Sequence, residues 1–306
     1  MKRFVSKILL FFILTAIIDF ISGGVFSFLR ANAKGGIEKE FSNLFEKDNH
    51  EVLILGSSRA NHHYVPEVIE KKWNVECYNG GFDGNGVILA YPIIRNVIER
   101  NKPKLLIYEV SAGFDIVENI EDANDTRYIA NLKPYYRNDI AKEVIASVSE
   151  SEIIKLHSAL YRHNSSLTPL VIDNITIRSG RKDGYTPLYR NYKPERDATS
   201  KKVNYTLDSL KLNYLHKLAS LHMEKNLDII WVVSPQYYSD YDNSIYNMAK
   251  NIALIYDVPF MDYTKDKRFI GHGELFSDPT HLNDTGAHLF TNILVNDISD
   301  AIALNE

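Results

Sequence analysis

Cysteine is almost missing from this chain. A single one, Cys77, stands among 306 residues, so no intramolecular disulfide is available. No spaced Cys/His set surrounds it to bind a metal. Its setting, Val75-Glu76-Cys77-Tyr78, is strand-like and fits a buried structural thiol. A basic excess is missing too. The formal net charge is -4, which argues against a general nucleic-acid binder, since such a protein carries a basic stripe. Internal repeats and low-complexity stretches are absent, which excludes repeat arrays and biased linkers. What remains is an ordinary globular balance, 45% hydrophobic and 24% charged, sufficient for a sizeable core. The length suits one large α/β domain plus an anchor, or two small domains. Tyrosine is abundant at 19 residues; such rings suit sugar surfaces and fill cores equally well.

The N-terminus holds the longest apolar run, Phe4 to Leu29. It exceeds the ~20 residues that a helix needs to cross a bilayer. Lys2, Arg3 and Lys7 precede it, so the N-terminus is expected in the cytoplasm and the rest outside; Arg30 and Lys34 on the far side weaken that bias. Ala31-Asn32-Ala33 resembles a signal-peptidase site, but the run is too long for a typical signal peptide, which favours an uncleaved anchor. Asp19 within the run faces a partner helix or lies near the outer interface. The expected organisation is an anchor at 1–30, a juxtamembrane linker at 31–50 and a domain at 51–306.

Within that domain, strands and helices alternate. Glu51–Leu55, Trp73–Tyr78, Leu105–Val110, Leu227–Val233 and Val258–Asp262 read as strands. Helices are expected near Pro66–Glu70 and over Val87–Asn101, Asn204–Lys225, Asn243–Tyr256 and Thr280–Ala303. This pattern predicts an α/β fold with a central parallel sheet covered on both faces. A long insertion at about 115–200 interrupts the alternation. Ser149–Tyr161 looks helical; 179–185 and 189–194 read as loops. Its position after a central strand makes it a candidate substrate lid or partner surface.

Three short stretches carry the chemistry. The apolar run Val52–Leu55 ends at Gly56-Ser57-Ser58-Arg59, placing serines at the carboxyl end of a strand, where open α/β sheets bind ligands. Taken alone, Ser57 and Ser58 are equally turn or cap residues. Asn79-Gly80-Gly81-Phe82-Asp83-Gly84-Asn85-Gly86 is a glycine-dense turn. Near the end, Asp278-Pro279-Thr280-His281-Leu282-Asn283 puts an acid three residues before a histidine. A hydroxyl nucleophile needs such a base, and the base needs an acid to orient it.

In order and spacing, these stretches resemble the SGNH (GDSL-like) hydrolase superfamily over roughly Glu51 to the C-terminus, the insertion excepted. The resemblance implies a three-layer α/β/α sandwich with a flavodoxin-like parallel sheet. It implies Ser58 as nucleophile, with Ser57 replacing the usual aspartate, and His281 and Asp278 as base and orienting acid. The oxyanion hole would be formed by the amides of Ser58 and Gly84, with Asn85 as a candidate addition. One block departs. Where the family has Gly-x-Asn-Asp, this chain reads Glu109-Val110-Ser111-Ala112-Gly113-Phe114-Asp115, so the donor asparagine is replaced by Ala112 or Gly113. Losing one such donor costs about 3 kcal/mol of transition-state stabilisation; Asn85, Arg59 or a group from the insertion are candidate substitutes.

Arg59 is open to two readings: binding an anionic substrate group, or pairing structurally with Glu109 or Asp115, the latter favoured because a buried guanidinium needs a carboxylate. His62 and His63 read as surface residues. The expectation is a membrane-anchored, extracytoplasmic serine esterase or O-acyltransferase, acting on an acylated carbohydrate or other small ester, with no cofactor, metal or nucleic acid. The alternative is a catalytically weak or inactive binding or assembly module of an envelope polysaccharide system.

Overall fold

Leu-, Ile- and Val-rich runs, buried along almost their whole length, build the sheet. In the computed structural model, which describes residues 1–118, 126–164, 167–175, 181–194, 205–238 and 243–303, the elements run as follows. Helices α1 (Lys2–Asn32) and α2 (Gly36–Lys47) precede β1 (Val52–Gly56), α3 (Ser58–His63), α4 (Pro66–Trp73) and β2 (Cys77–Asn79). Then come α5 (Val87–Arg100), β3 (Leu105–Glu109), α6 (Ala112–Asp115) and a 3₁₀ segment, Thr126–Tyr135. Helices α7 (Asp139–Val148), α8 (Glu150–Lys155), α9 (Ala159–His163) and α10 (Leu167–Ile175) follow. The chain continues with α11 (Ser209–Glu224), β4 (Asp228–Val233), α12 (Tyr246–Ile255), β5 (Phe260–Asp262) and α13 (Asp284–Ala303).

All four strand pairings are parallel, in the order β2-β1-β3-β4-β5. The α/β expectation with a parallel sheet holds. Val52, Ile54, Ile107, Ile230 and Val232 share one buried cluster with Ile69 of α4 and with Phe290 and Leu294 of α13. The alternate residues Leu53, Leu55, Leu106, Tyr108, Trp231 and Val233 are buried as well, with α5, α11 and α12 packed among one another and against β1, β4 and β5. Continuous apolar strands follow from this two-sided cover.

The chain divides into two compact units: Met1–Asn43 with Ile129–Ser179, and Leu44–Tyr128 with Gly180–Glu306. The middle of the insertion thus clusters with the N-terminal helix. In that first unit, α1 is long and apolar enough to cross a membrane, with a mean hydropathy of 2.4. Asp19 caps α9: its carboxylate accepts from Ser158 Oγ at 2.6 Å and from the amides of Ala159 and Leu160, both at 2.9 Å.

Several boundaries move for local reasons. Asn74 takes a left-handed φ of 54° and closes α4, so β2 begins at Cys77 rather than near Trp73. Asp208 caps α11 by accepting from the amides of Leu210 and Lys211, so that helix begins at Ser209; Asn204 lies outside the described residues. The helix expected over Ser149–Tyr161 breaks into α8 and α9. The last helix starts at Asp284 rather than Thr280, because the Asn283 side chain accepts from the Gly286 amide. Residues 179–180 of the expected loop 179–185, and residues 195–200 at the end of the insertion, lie outside the described residues.

The turn out of β1 depends on a glycine. Gly56 has φ +148°, and a Cβ there would lie 2.8 Å from the Glu109 carbonyl oxygen. Gly56→Ala is therefore expected to cost roughly 1–3 kcal/mol and to lower the melting temperature of the detergent-solubilised protein by several degrees. An unchanged thermal melt would contradict this account of the turn.

Candidate active site

Ser58 is the first residue of α3, just beyond β1. The strand order reverses between β1 and β3, the switch point where parallel sheets open a crevice at their carboxyl ends. Ser57 caps α3 and is buried, with its Oγ 2.6 Å from Ser111 Oγ beyond β3. That contact ties the two lips of the crevice. The far end of α3 is held by Asn79, whose Nδ2 donates to the carbonyls of Ala60 and Tyr64. Gly81 lets the glycine turn press on α3, since a Cβ there would sit 2.4 Å from the Asn61 nitrogen.

His281 comes from the loop before α13. Its backbone is fixed by Ser277 N–H donating to its carbonyl at 2.8 Å. Asp278 Oδ1 accepts from the amides of Thr280 and His281, each at 2.9 Å. Asp278 Oδ2 lies 2.8 Å from His281 Nδ1, and His281 Nε2 lies 2.8 Å from Ser58 Oγ. Burial opposes ionisation of Asp278, but the His281 ring, with the donors at Thr280, outweighs it and holds the pKa at about 2. An ionised carboxylate accepts only, so the proton sits on Nδ1 and Nε2 is the acceptor for the serine hydroxyl. The three residues singled out in the sequence therefore form one continuous hydrogen-bonded chain.

Arg59 is committed elsewhere. Its guanidinium pairs with Glu109 at 3.1 Å and donates to Ser234 Oγ, the Ser234 carbonyl and the Tyr246 hydroxyl. Of the two carboxylates considered from the sequence, Glu109 is the partner. Asp115 instead accepts from the amides of Val87 and Ser111 and from the Tyr108 hydroxyl. Burial raises the Glu109 carboxyl above its ordinary value, with Arg59 and the hydroxyls of Tyr64 and Ser234 pulling against it.

His62 and His63 are not surface residues, as their polarity had led us to expect; both are buried. They lie on the short helix α3, which packs under α13. His63 Nε2 accepts from the Leu282 amide at 3.0 Å, so Nδ1 carries the proton and donates to Ser234 Oγ at 2.7 Å. Burial, then the Arg59 charge, push its pKa well down, which keeps the ring neutral. His62 Nδ1 meets the Thr186 carbonyl at 2.7 Å, and its ring stands edge-on to His281 at 5.8 Å. Residues of the insertion thus reach the neighbourhood of the site.

A cavity of about 170 Å³ opens at Ser58 and His281, walled by Ser111, Ala112, Gly113, Phe114, Gln236 and Tyr246 among others. Gly84 and Asn85 are not among its lining residues. Gly84 has φ +72° and open space where a Cβ would be, and the Asn85 side-chain Nδ2 donates to the Asp83 carbonyl at 3.0 Å. The wall after β3 is the part that sequence reading did not identify as a positive feature. Its signal was the run of small residues Ser111-Ala112-Gly113 at a strand end. Gln236 and Tyr246 carried no comparable signal. Among the described residues, no group of three or more His, Cys, Asp and Glu side chains is arranged to hold a metal ion.

No protein-family profile matches the chain, and no curated protein sequence matches it.

Glu109→Gln removes the carboxylate but leaves Arg59 buried. Breaking a buried pair from one side costs about 3–5 kcal/mol. The variant should melt well below the wild type. A melt within a degree or two of wild type would show that Arg59 does not need Glu109.

Proposed function

We propose that this protein is a serine ester hydrolase or O-acyltransferase of the SGNH type, anchored by α1 with its domain outside the cytoplasm. The observation that carries the reading is the Ser58–His281–Asp278 chain, with two contacts of 2.8 Å, opening on a cavity at the sheet's switch point. In this reading Ser58 Oγ bonds to an ester carbonyl carbon while His281 Nε2 takes the hydroxyl proton. Asp278 keeps the ring oriented and favours the imidazolium that results. Collapse of the tetrahedral adduct breaks the bond to the alcohol, which leaves with the proton from His281. Water or a sugar hydroxyl then attacks the acyl-serine, with His281 again taking the proton; the acyl–Oγ bond breaks and His281 returns the proton to Ser58 Oγ. Water gives an esterase and a sugar gives a transferase.

The oxyanion donors we assign are backbone amides. Ser58 N–H is the first of α3, and those of Ala112 and Gly113 are the first two of α6; none has an acceptor within its own helix. The latter pair border the cavity where the family pattern has an asparagine. The resemblance adds Gly84. A cavity of about 170 Å³ is small for a ligand pocket, which favours a short acyl group such as acetyl. The missing asparagine side chain favours a second reading, a binding module on the same scaffold with a weak or silent site.

A fluorophosphonate probe should label wild-type protein at Ser58 and leave Ser58→Ala unlabelled. Wild-type protein that neither takes the probe nor releases p-nitrophenol from its acetate ester faster than Ser58→Ala supports the binding module instead. Gly113→Pro deletes one amide donor at a first-turn position that tolerates proline, and should lower kcat by roughly 10²–10³-fold. Gly113→Ala keeps that N–H and has room for the methyl group, so its kcat should stay near wild type. Equal kcat for the two variants would remove Gly113 from the oxyanion hole.

A further inference from the structure

The first unit carries a helix whose polarity is inside out. On α10, Leu170 and Asp173 face inward, with Asp173 only 2% exposed. Leu167, Val171 and Ile175, spaced at i, i+4 and i+8, form a stripe on the outer face, with Ile175 75% exposed. A helix bathed in water places a carboxylate such as Asp173 outside and an apolar stripe such as Leu167, Val171 and Ile175 inside. Two hydrogen bonds tie α10 to the end of α1 and the residues just after it. The Asn174 side chain donates to the Leu29 carbonyl of α1 at 2.8 Å, and the Asp173 carbonyl accepts from Lys34 N–H at 2.9 Å.

The location along α1 says what covers the outer stripe. Counting from Phe4, about 20 residues at 1.5 Å each traverse a hydrocarbon core of about 30 Å, which ends near Gly23. At that level α1 meets α9. Asp19 caps α9 with three hydrogen bonds, and a Cβ on Gly23 would lie 3.1 Å from Ala159 Cβ. Further along, the Phe26 and His163 rings are 4.8 Å apart. Helices α9 and α10 therefore flank α1 where its apolar run passes from hydrocarbon to headgroups. Both α9 and α10 pack on α1, and all three carry exposed apolar residues, α9 at Leu160. A carboxylate is costly at such depth unless paired with donors, and the α9 amides supply them.

We propose that α9 and α10 form a lipid-facing collar, sunk into the outer boundary of the bilayer beside α1. Leu160, Leu167, Val171 and Ile175 then lie among the upper acyl chains. Asp19 is the latch that holds the collar to the anchor, not a site for a substrate or a second protein. The proposal rests on the reading of α1 as a membrane-spanning anchor.

The test uses full-length protein in phosphatidylcholine vesicles. Single cysteines are introduced at Val171, Ile175, Phe12 and Lys72 and labelled with an NBD fluorophore; wild type, whose Cys77 is buried, reports background labelling. Val171→Cys and Ile175→Cys should be quenched at least twofold more by lipid doxyl-labelled near the headgroup than by aqueous iodide. Phe12→Cys should respond to lipid doxyl-labelled deep in the chain, and Lys72→Cys to iodide alone. If 171 and 175 behave like 72 while 12 is lipid-quenched, the collar is refuted and the anchor stands. If 12 is also quenched by iodide alone, the spanning reading fails and takes the collar with it.

Discussion

The buried Arg59–Glu109 pair is the joint on which the globular unit depends. Arg59 follows the serine at the end of β1, Glu109 closes β3, and Ser234 follows β4 and binds both. His63 adds a fourth arm, from Ser234 to the backbone of Leu282, the residue after His281. Three strand ends and the histidine loop thus meet in one desolvated network. A buried charge pair of this kind is a poor source of stability compared with apolar packing, but it is costly to break from one side. Its contribution here is positional: it sets where the Ser58 turn stands relative to the His281 loop.

That placement accounts for the chemistry available. Parallel strands leave their carboxyl ends open at the β1/β3 switch point, and short helices begin there on both sides. Ser58 starts α3 and Ala112 starts α6, so first-turn amides without an acceptor in their own helix belong to residues that border the same cavity. The Ser57–Ser111 contact holds the two helix starts together. The small residues Ser111, Ala112 and Gly113 line one side of the cavity, and the longer side chains of Phe114, Gln236 and Tyr246 close in around it.

Much of the fold was legible in the chain. The short run Leu105–Val110, apolar but for Glu109, between Pro103 and the small residues after it, reads as a strand buried on both faces, and Asp-x-x-His near the end carries both spacing and chemistry. Errors arose where a capping contact overrode propensity. Asn74 cut β2 short by adopting a left-handed conformation, and Asn283 delayed α13 and left His281 in a loop. Trp73-Asn74-Val75 reads as the start of a strand, but α4 runs up to Trp73 and closes at Asn74. His62 and His63 looked like surface residues because polarity is the usual guide to exposure; their burial arises from α13 packing over α3, from a segment more than 200 residues away.

The alternation of strands and helices, the long apolar N-terminal run, and the serine, histidine and aspartate worth watching are all written in the order of the residues, since periodicity and residue chemistry are local properties. That order left open whether Arg59 met a substrate or a carboxylate, and whether Asp19 was stray or satisfied. Only the tertiary structure decided these. Arg59 pairs with Glu109 and Asp19 with α9 because a charge withdrawn from water, wholly or in part, takes the partner that folding brings within hydrogen-bond reach, and that partner lies about 50 to 140 positions along the chain. The same holds for Ser58 and His281, whose 2.8 Å contact exists only once the parallel sheet has brought the end of β1 beneath the loop before α13.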